Sequence, residues 1–196
     1  MMKKLMLIAF VVSLLTPAAF AEFGLGVKLG AGQSKSDVED SAKNLFGNNY
    51  THTPSILLFG VEALYEKAGL FNLGEQHILG AKIGYTAWNS EEAKSGIYKL
   101  EVKYYEIPLT LYYKYAPSKW HLGGGFGAAF GKTDDKFDTI SKVYPFIAAG
   151  AEYRFSKLFG LGLDLRYNIS GKFEKSGIVY KNVSGVQGAV AARFYF

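Results

Sequence analysis

Large apolar residues return at every second position along most of this chain, in runs of about ten to fifteen residues separated by stretches rich in Gly, Ser, Asn, Asp and Lys. A period of two puts successive side chains on opposite faces, so each run predicts a β-strand. Eight such runs occur, at 22–33, 54–66, 76–88, 98–115, 119–131, 142–156, 159–170 and 185–196. One face of the first strand reads Phe23, Leu25, Val27, Leu29, Ala31, and the same face of the seventh reads Leu161, Leu163, Leu165, Tyr167, Ile169. Over all eight strands this face comprises 42 residues, none charged, although charged residues make up 20% of the chain. The charges fall on the opposite face: Lys28, Glu62, Lys82, Glu106, Lys114, Glu152, Arg154, Asp164, Arg166 and Arg193, set among glycines such as Gly26, Gly60, Gly80, Gly125, Gly150 and Gly162.

That partition decides between two barrels. A water-soluble barrel turns its apolar face inward and its charges outward. A membrane barrel does the reverse, with an apolar band toward lipid and small or polar residues filling a narrow interior. Glycine and charge on one face therefore predict an all-β chain, an eight-stranded antiparallel up-and-down transmembrane barrel. Tyr and Phe near the ends of most apolar faces match an aromatic girdle. With both termini in the periplasm, the short connections 116–118 and 156–158, and a longer one at 67–75, fall on the periplasmic side. The polar stretches 34–53, 89–97, 132–141 and 171–184 become extracellular loops, where recognition residues usually sit.

The start of the chain differs from the rest. Lys3 and Lys4 precede an apolar run from Leu5 to Leu15, then Thr16-Pro17 and Ala19-Phe20-Ala21, the order of a basic region, a short hydrophobic region and a small-residue cleavage site. A helix of that length rises only about 16 Å, short of a hydrocarbon core of roughly 30 Å. Residues 1–21 are therefore expected to be a cleavable signal peptide and 22–196 the barrel domain. Lys3 and Lys4 are two of the 22 basic residues, so the mature chain holds 20 against 17 acidic ones, a net charge of +3. No basic cluster interleaved with aromatics points to nucleic acid. The absence of cysteine excludes disulfides and thiolate metal sites.

Particular segments carry a family resemblance. Glu152-Tyr153-Arg154-Phe155-Ser156-Lys157-Leu158-Phe159-Gly160-Leu161, leading into Asp164-Leu165-Arg166-Tyr167, resembles the strand-turn-strand hairpin of small porin-family proteins with an OmpA-like transmembrane domain. Glu106-Ile107-Pro108-Leu109-Thr110-Leu111 does too. The ending Ala192-Arg193-Phe194-Tyr195-Phe196 is similar to the signal that the family's insertion machinery recognises, through Phe194 and Phe196. The resemblance spans the whole mature chain. It implies a monomer in the outer membrane of a Gram-negative cell, handled by periplasmic chaperones and the barrel insertion machinery and surrounded by outer-membrane lipid and lipopolysaccharide. It leaves function open, because this architecture hosts adhesins, resistance factors, small channels and lipid-modifying enzymes.

Three classes of function follow. The ten inward charges predict a salt-bridged plug, in which case the work is structural or lies in surface interaction with an extracellular ligand. The same residues could instead line a narrow passive channel. A lipid A-modifying enzyme would need a histidine beside a serine and a carboxylate at the outer leaflet. Of the three histidines only His52, with Ser55 close in sequence, lies on that side, since His77 and His121 fall near the periplasmic ends. A histidine in a polar loop is usually only solvated, so no catalytic, cofactor or metal site is expected. Gly123-x-Gly125-x-x-Ala128 matches a dinucleotide fingerprint but lies inside a strand with no helix after it. Asp134, Asp135 and Asp138 lack the ligand spacing of a calcium loop.

Overall fold

In the computed structural model, residues 21–33, 38–69, 74–134, 139–175 and 178–196 are described. The expected signal peptide lies outside the described residues except for Ala21. The elements are β1 (Ala21–Gly32), α1 (Val38–Phe46), β2 (Thr51–Thr53), β3 (Leu57–Ala68), β4 (His77–Trp88), β5 (Glu91–Ser95), β6 (Tyr98–Tyr115), β7 (Trp120–Asp134), β8 (Thr139–Arg154), β9 (Phe159–Asn168), β10 (Lys172–Lys175), β11 (Ile178–Asn182) and β12 (Gly185–Tyr195). Eight of these, β1, β3, β4, β6, β7, β8, β9 and β12, pair antiparallel with their sequence neighbours, and β1 pairs with β12 to close the barrel. Closure leaves no barrel strand with a free edge. At the seam Leu25 opposes Phe194 and Leu29 opposes Val190, and the backbones of Phe23 and Phe196 exchange two hydrogen bonds.

Burial alternates with the parity expected from sequence. On β1, Phe23, Leu25, Val27 and Leu29 are exposed while Gly24 and Gly26 are buried, and on β7 Phe126 is 65% exposed between half-buried glycines. Large apolar side chains thus face outward all round the barrel, and carboxylates such as Glu62, Glu106 and Glu152 are buried inside. Such a surface is stable only against an apolar solvent, and a closed barrel can enter one because its strands satisfy every backbone group. Glycine has a steric role inside. A Cβ on Gly125 would stand 2.8 Å from the Tyr112 Cα, and Gly80 faces the ring of the same tyrosine, so these two positions make room for an inward Tyr112.

The periplasmic turns are tight where the sequence is short. Ser156 Oγ accepts the amides of Leu158 (3.2 Å) and Phe159 (3.1 Å), a serine-capped turn joining β8 to β9. The end expected to be extracellular is more ordered than polar loops suggest, and here the structure differs from expectation. The first loop contributes α1 and the short β2, which pairs with β5; β5 in turn folds against the outer part of β6. Val38 and Ala42 of α1 bury against Ala93 and Val102, with Phe46, Tyr50 and Leu100 around them. This lobe has its own small core above the barrel. Its apolar positions are too few and too short in period to stand out in a polar sequence. The third loop is largely strand, since β7 and β8 stay paired out to Asp134 and Thr139.

Candidate functional site

The ten charged residues expected on the inner face all point into the barrel, and β-sheet register brings seven of them into one network with Glu66. Arg193 on β12 sits at its centre, with Nε donating to Glu62 (2.6 Å), one terminal nitrogen to Glu152 (3.0 Å) and the other to Asp164. Lys82 on β4 lies 3.0 Å from Asp164 and 3.3 Å from Glu62. Toward the periplasm, Lys114 bridges Glu66 (2.5 Å) and Glu152 (3.2 Å). Arg154 donates to Glu66 (2.5 Å), Glu152 (3.0 Å) and Glu22 (2.5 Å), with its guanidinium 3.7 Å over the Tyr195 ring. Tyr195 and Tyr112 complete the set as donors to Glu152 and Glu66. A lone buried charge would carry a large desolvation penalty, whereas here Glu62, Glu66, Glu152 and Asp164 each have at least two cationic or hydroxyl partners.

A second cluster lies nearer the extracellular side. Glu106 is 1% exposed and accepts from Arg166 (2.5 Å), Tyr104 (3.0 Å) and Tyr144, and the two tyrosine hydroxyls lie 2.6 Å apart. Arg166 also packs over the Phe146 ring at 4.7 Å. Lys28 belongs to neither cluster.

Sequence reasoning missed Glu66, Glu22 and the inward tyrosines 104, 144 and 195, while Tyr112 was read as inward. Glu66 shares the even parity of Glu62 on the same strand, which was the available signal, but it sits at the segment's last residue. Phe194 and Phe196 lie on the outward face, Phe194 with its ring 5.1 Å from Phe159.

Beside Glu106 the fourth loop packs onto this end of the barrel. Its strands β10 and β11 form a hairpin with a register shift after Phe173. Phe173 is fully buried, edge-on to Tyr104 (5.3 Å) and Tyr144 (6.1 Å), and clusters with Leu58, Trp88, Ala129, Phe146 and Val183. Lys181 of β11 is buried too, donating to the Ser55 carbonyl (3.3 Å), 3.7 Å from Glu91 and 5.1 Å from the centre of the Trp88 ring. His52 Nε2 contacts the other oxygen of Glu91 at 3.2 Å. Ser55 Oγ is buried without a hydrogen-bond partner among the described residues, so His52 and Ser55 are not joined as a nucleophile and its base. His77 pairs with Tyr113 on the outer face, and His121 lies buried inside beside the lower network.

An apolar exterior, a charge-filled lumen and ordered loops at one end make the site. The family model for the outer membrane protein beta-barrel domain matches residues 5–194. The chain belongs to that family.

Solved structures of other outer-membrane barrels share its architecture. The attachment invasion locus protein Ail of Yersinia pestis, in a complex with the heparin analogue sucrose octasulfate, aligns over 90% of this chain and 99% of its own with a TM-score of 0.56 at 11% identity. Neisserial surface protein A aligns over 88% of this chain and 95% of its own, TM-score 0.56 at 16% identity. OprG of Pseudomonas aeruginosa aligns over 91% and 96%, TM-score 0.51 at 11% identity. At these identities the likeness is one of fold. No curated protein matches the chain in sequence. As an outer-membrane β-barrel protein, it has its eight barrel strands in the bilayer, with the α1 lobe and the β10–β11 hairpin together at one end.

Proposed function

We propose that this outer-membrane barrel is a non-enzymatic, non-conducting surface-interaction protein whose lumen is a structural plug. The observation that carries this reading is the double closure: Phe173 fills the mouth, and Arg193 with Glu62, Glu152 and Asp164 fills the interior below it. An eight-stranded barrel has just enough room for its own side chains, so two such layers leave no continuous water path. The extracellular lobe then carries the contact surface. Its outer ladder alternates Lys94, Glu92, Lys99, Glu101 and Lys103, each linked to the next within 4 Å. The Ail complex makes a sulfated sugar the first ligand class to assay on that lobe. Lipopolysaccharide is the surrounding lipid, Phe194 and Phe196 serve as the terminal signal read by chaperones and insertion machinery, and the barrel works as a monomer.

Conductance in planar bilayers tests the reading. The wild type, Glu62→Ala and Arg166→Ala are compared at several voltages, with insertion verified by heat-modifiable gel migration. A silent wild type is expected. Steady discrete openings that change with either substitution would replace the plug by a channel.

A further inference from the structure

The inward charges of the barrel match in number but do not all pair. Six basic residues point inward, Lys28, Lys82, Lys114, Arg154, Arg166 and Arg193, against five enclosed carboxylates, Glu62, Glu66, Glu106, Glu152 and Asp164. Glu22, at the periplasmic rim and 40% exposed, takes part of Arg154. With Glu22 the charges number six against six, yet none of these carboxylates pairs with Lys28. Its amine has no hydrogen-bond or ion-pair partner among the described residues, and the charged groups facing it are Arg166, Glu62, Lys82 and Glu106. Those carboxylates are already engaged, Glu62 with Arg193 and Lys82, and Glu106 with Arg166 and two tyrosines.

Lys28 opens onto a cavity of about 100 Å³ between the two charge clusters, also lined by Glu62, Lys82, Asp164, Arg166 and Gln187. Register places it between Gly60 of β3 and Ala191 of β12. A Cβ on Gly60 would meet the Lys28 stem at 2.6 Å, so the glycine is what lets the side chain lie across the strand into the cavity. Two further donors lining the cavity lack acceptors: Arg166 Nε and the Gln187 amide nitrogen are both buried and unpartnered. Unmatched donors and an unpaired ammonium lining one cavity favour an acceptor of opposite sign there. We infer that Lys28, supported by Arg166, holds a small monovalent inorganic anion of halide size in the barrel lumen. One negative charge matches the single unpaired ammonium, and a divalent anion would overcharge the site next to Glu62 and Asp164.

The test folds the full mature chain from urea into detergent or bilayers in sodium bromide, so that the anion is present when the lumen closes. Crystals of the wild type should show a bromine anomalous peak beside Lys28, and those of Lys28→Met none. In bilayers, each tenfold rise in halide above its dissociation constant should raise the wild-type folding constant close to tenfold relative to gluconate at equal ionic strength. Lys28→Met should not respond. If that variant does not refold, Lys28→Gln takes its place. Water in place of bromine, a peak that persists without Lys28, or equal stability of the wild type in halide and gluconate would each overturn the site.

Discussion

Leu163→Arg tests the inside-out assignment of the barrel at its most sensitive point. Leu163 lies four residues from the first residue of β9 and five from the last, points outward and is 51% exposed. At about 3.3 Å per residue and a strand tilt near 40°, four residues place it about 10 Å from the end of the strand, deep in the hydrocarbon. Arginine at that depth on a lipid face costs about 2–4 kcal/mol. Leu163→Ala separates the charge from the lost apolar area, which is worth on the order of 1 kcal/mol for a half-covered leucine. Val190 of β12 is the register partner of Leu163 and faces the same lipid, so Val190→Arg should cost the same as Leu163→Arg. Ile169→Arg, just beyond the extracellular end of β9, should cost at most about 1 kcal/mol. The assay is urea unfolding in phospholipid bilayers, with folded fractions read from gel mobility of unheated samples. A Leu163→Arg barrel as stable as Ile169→Arg would refute the assignment of the apolar face to lipid.

Three other outcomes are expected. Glu152→Ala leaves Arg193, Lys114 and Arg154 short of an acceptor in the interior and should destabilise by about 3–5 kcal/mol in the same urea assay. Phe173→Ala removes the ring from between Tyr104 and Tyr144 and should loosen the hairpin by about 3–5 kcal/mol, seen as faster amide exchange in β10 and β11 with β9 and β12 unchanged. Burial lowers the Lys181 amine from its ordinary 10.5 to about 8, with Glu91 opposing the shift. The closed hairpin thus binds fewer protons than an open one between those values, and closure should strengthen as pH rises from about 8 toward 10.5 by up to about 3 kcal/mol. Exchange protection of β11 measured at pH 7.5 and 10 should rise in the wild type and stay level in Lys181→Met.

The same local rule explains what was legible beforehand and what was not. Alternation of side chains is a property of each strand by itself, so the eight barrel strands, their outward faces at Leu25, Leu109 or Leu163, and the inward parity of Lys28 or Arg193 could be read from sequence. The pairing of those inward charges could not. Arg193 meets Glu62 across 131 positions of sequence, and which carboxylate it reaches depends on barrel closure and strand stagger, both set by the whole sheet. Glu66 has the right parity, but only the fold shows Lys114 and Arg154 converging on it. The extracellular side was the least legible. Phe173 lies in a stretch as polar as any loop, and its burial depends on Gly131, Tyr104 and Tyr144 arriving from other strands. Periodicity determined where the chain meets lipid. Tertiary structure alone decided how the lumen charges and the loop aromatics pair, because that pairing takes contacts between residues far apart in the chain.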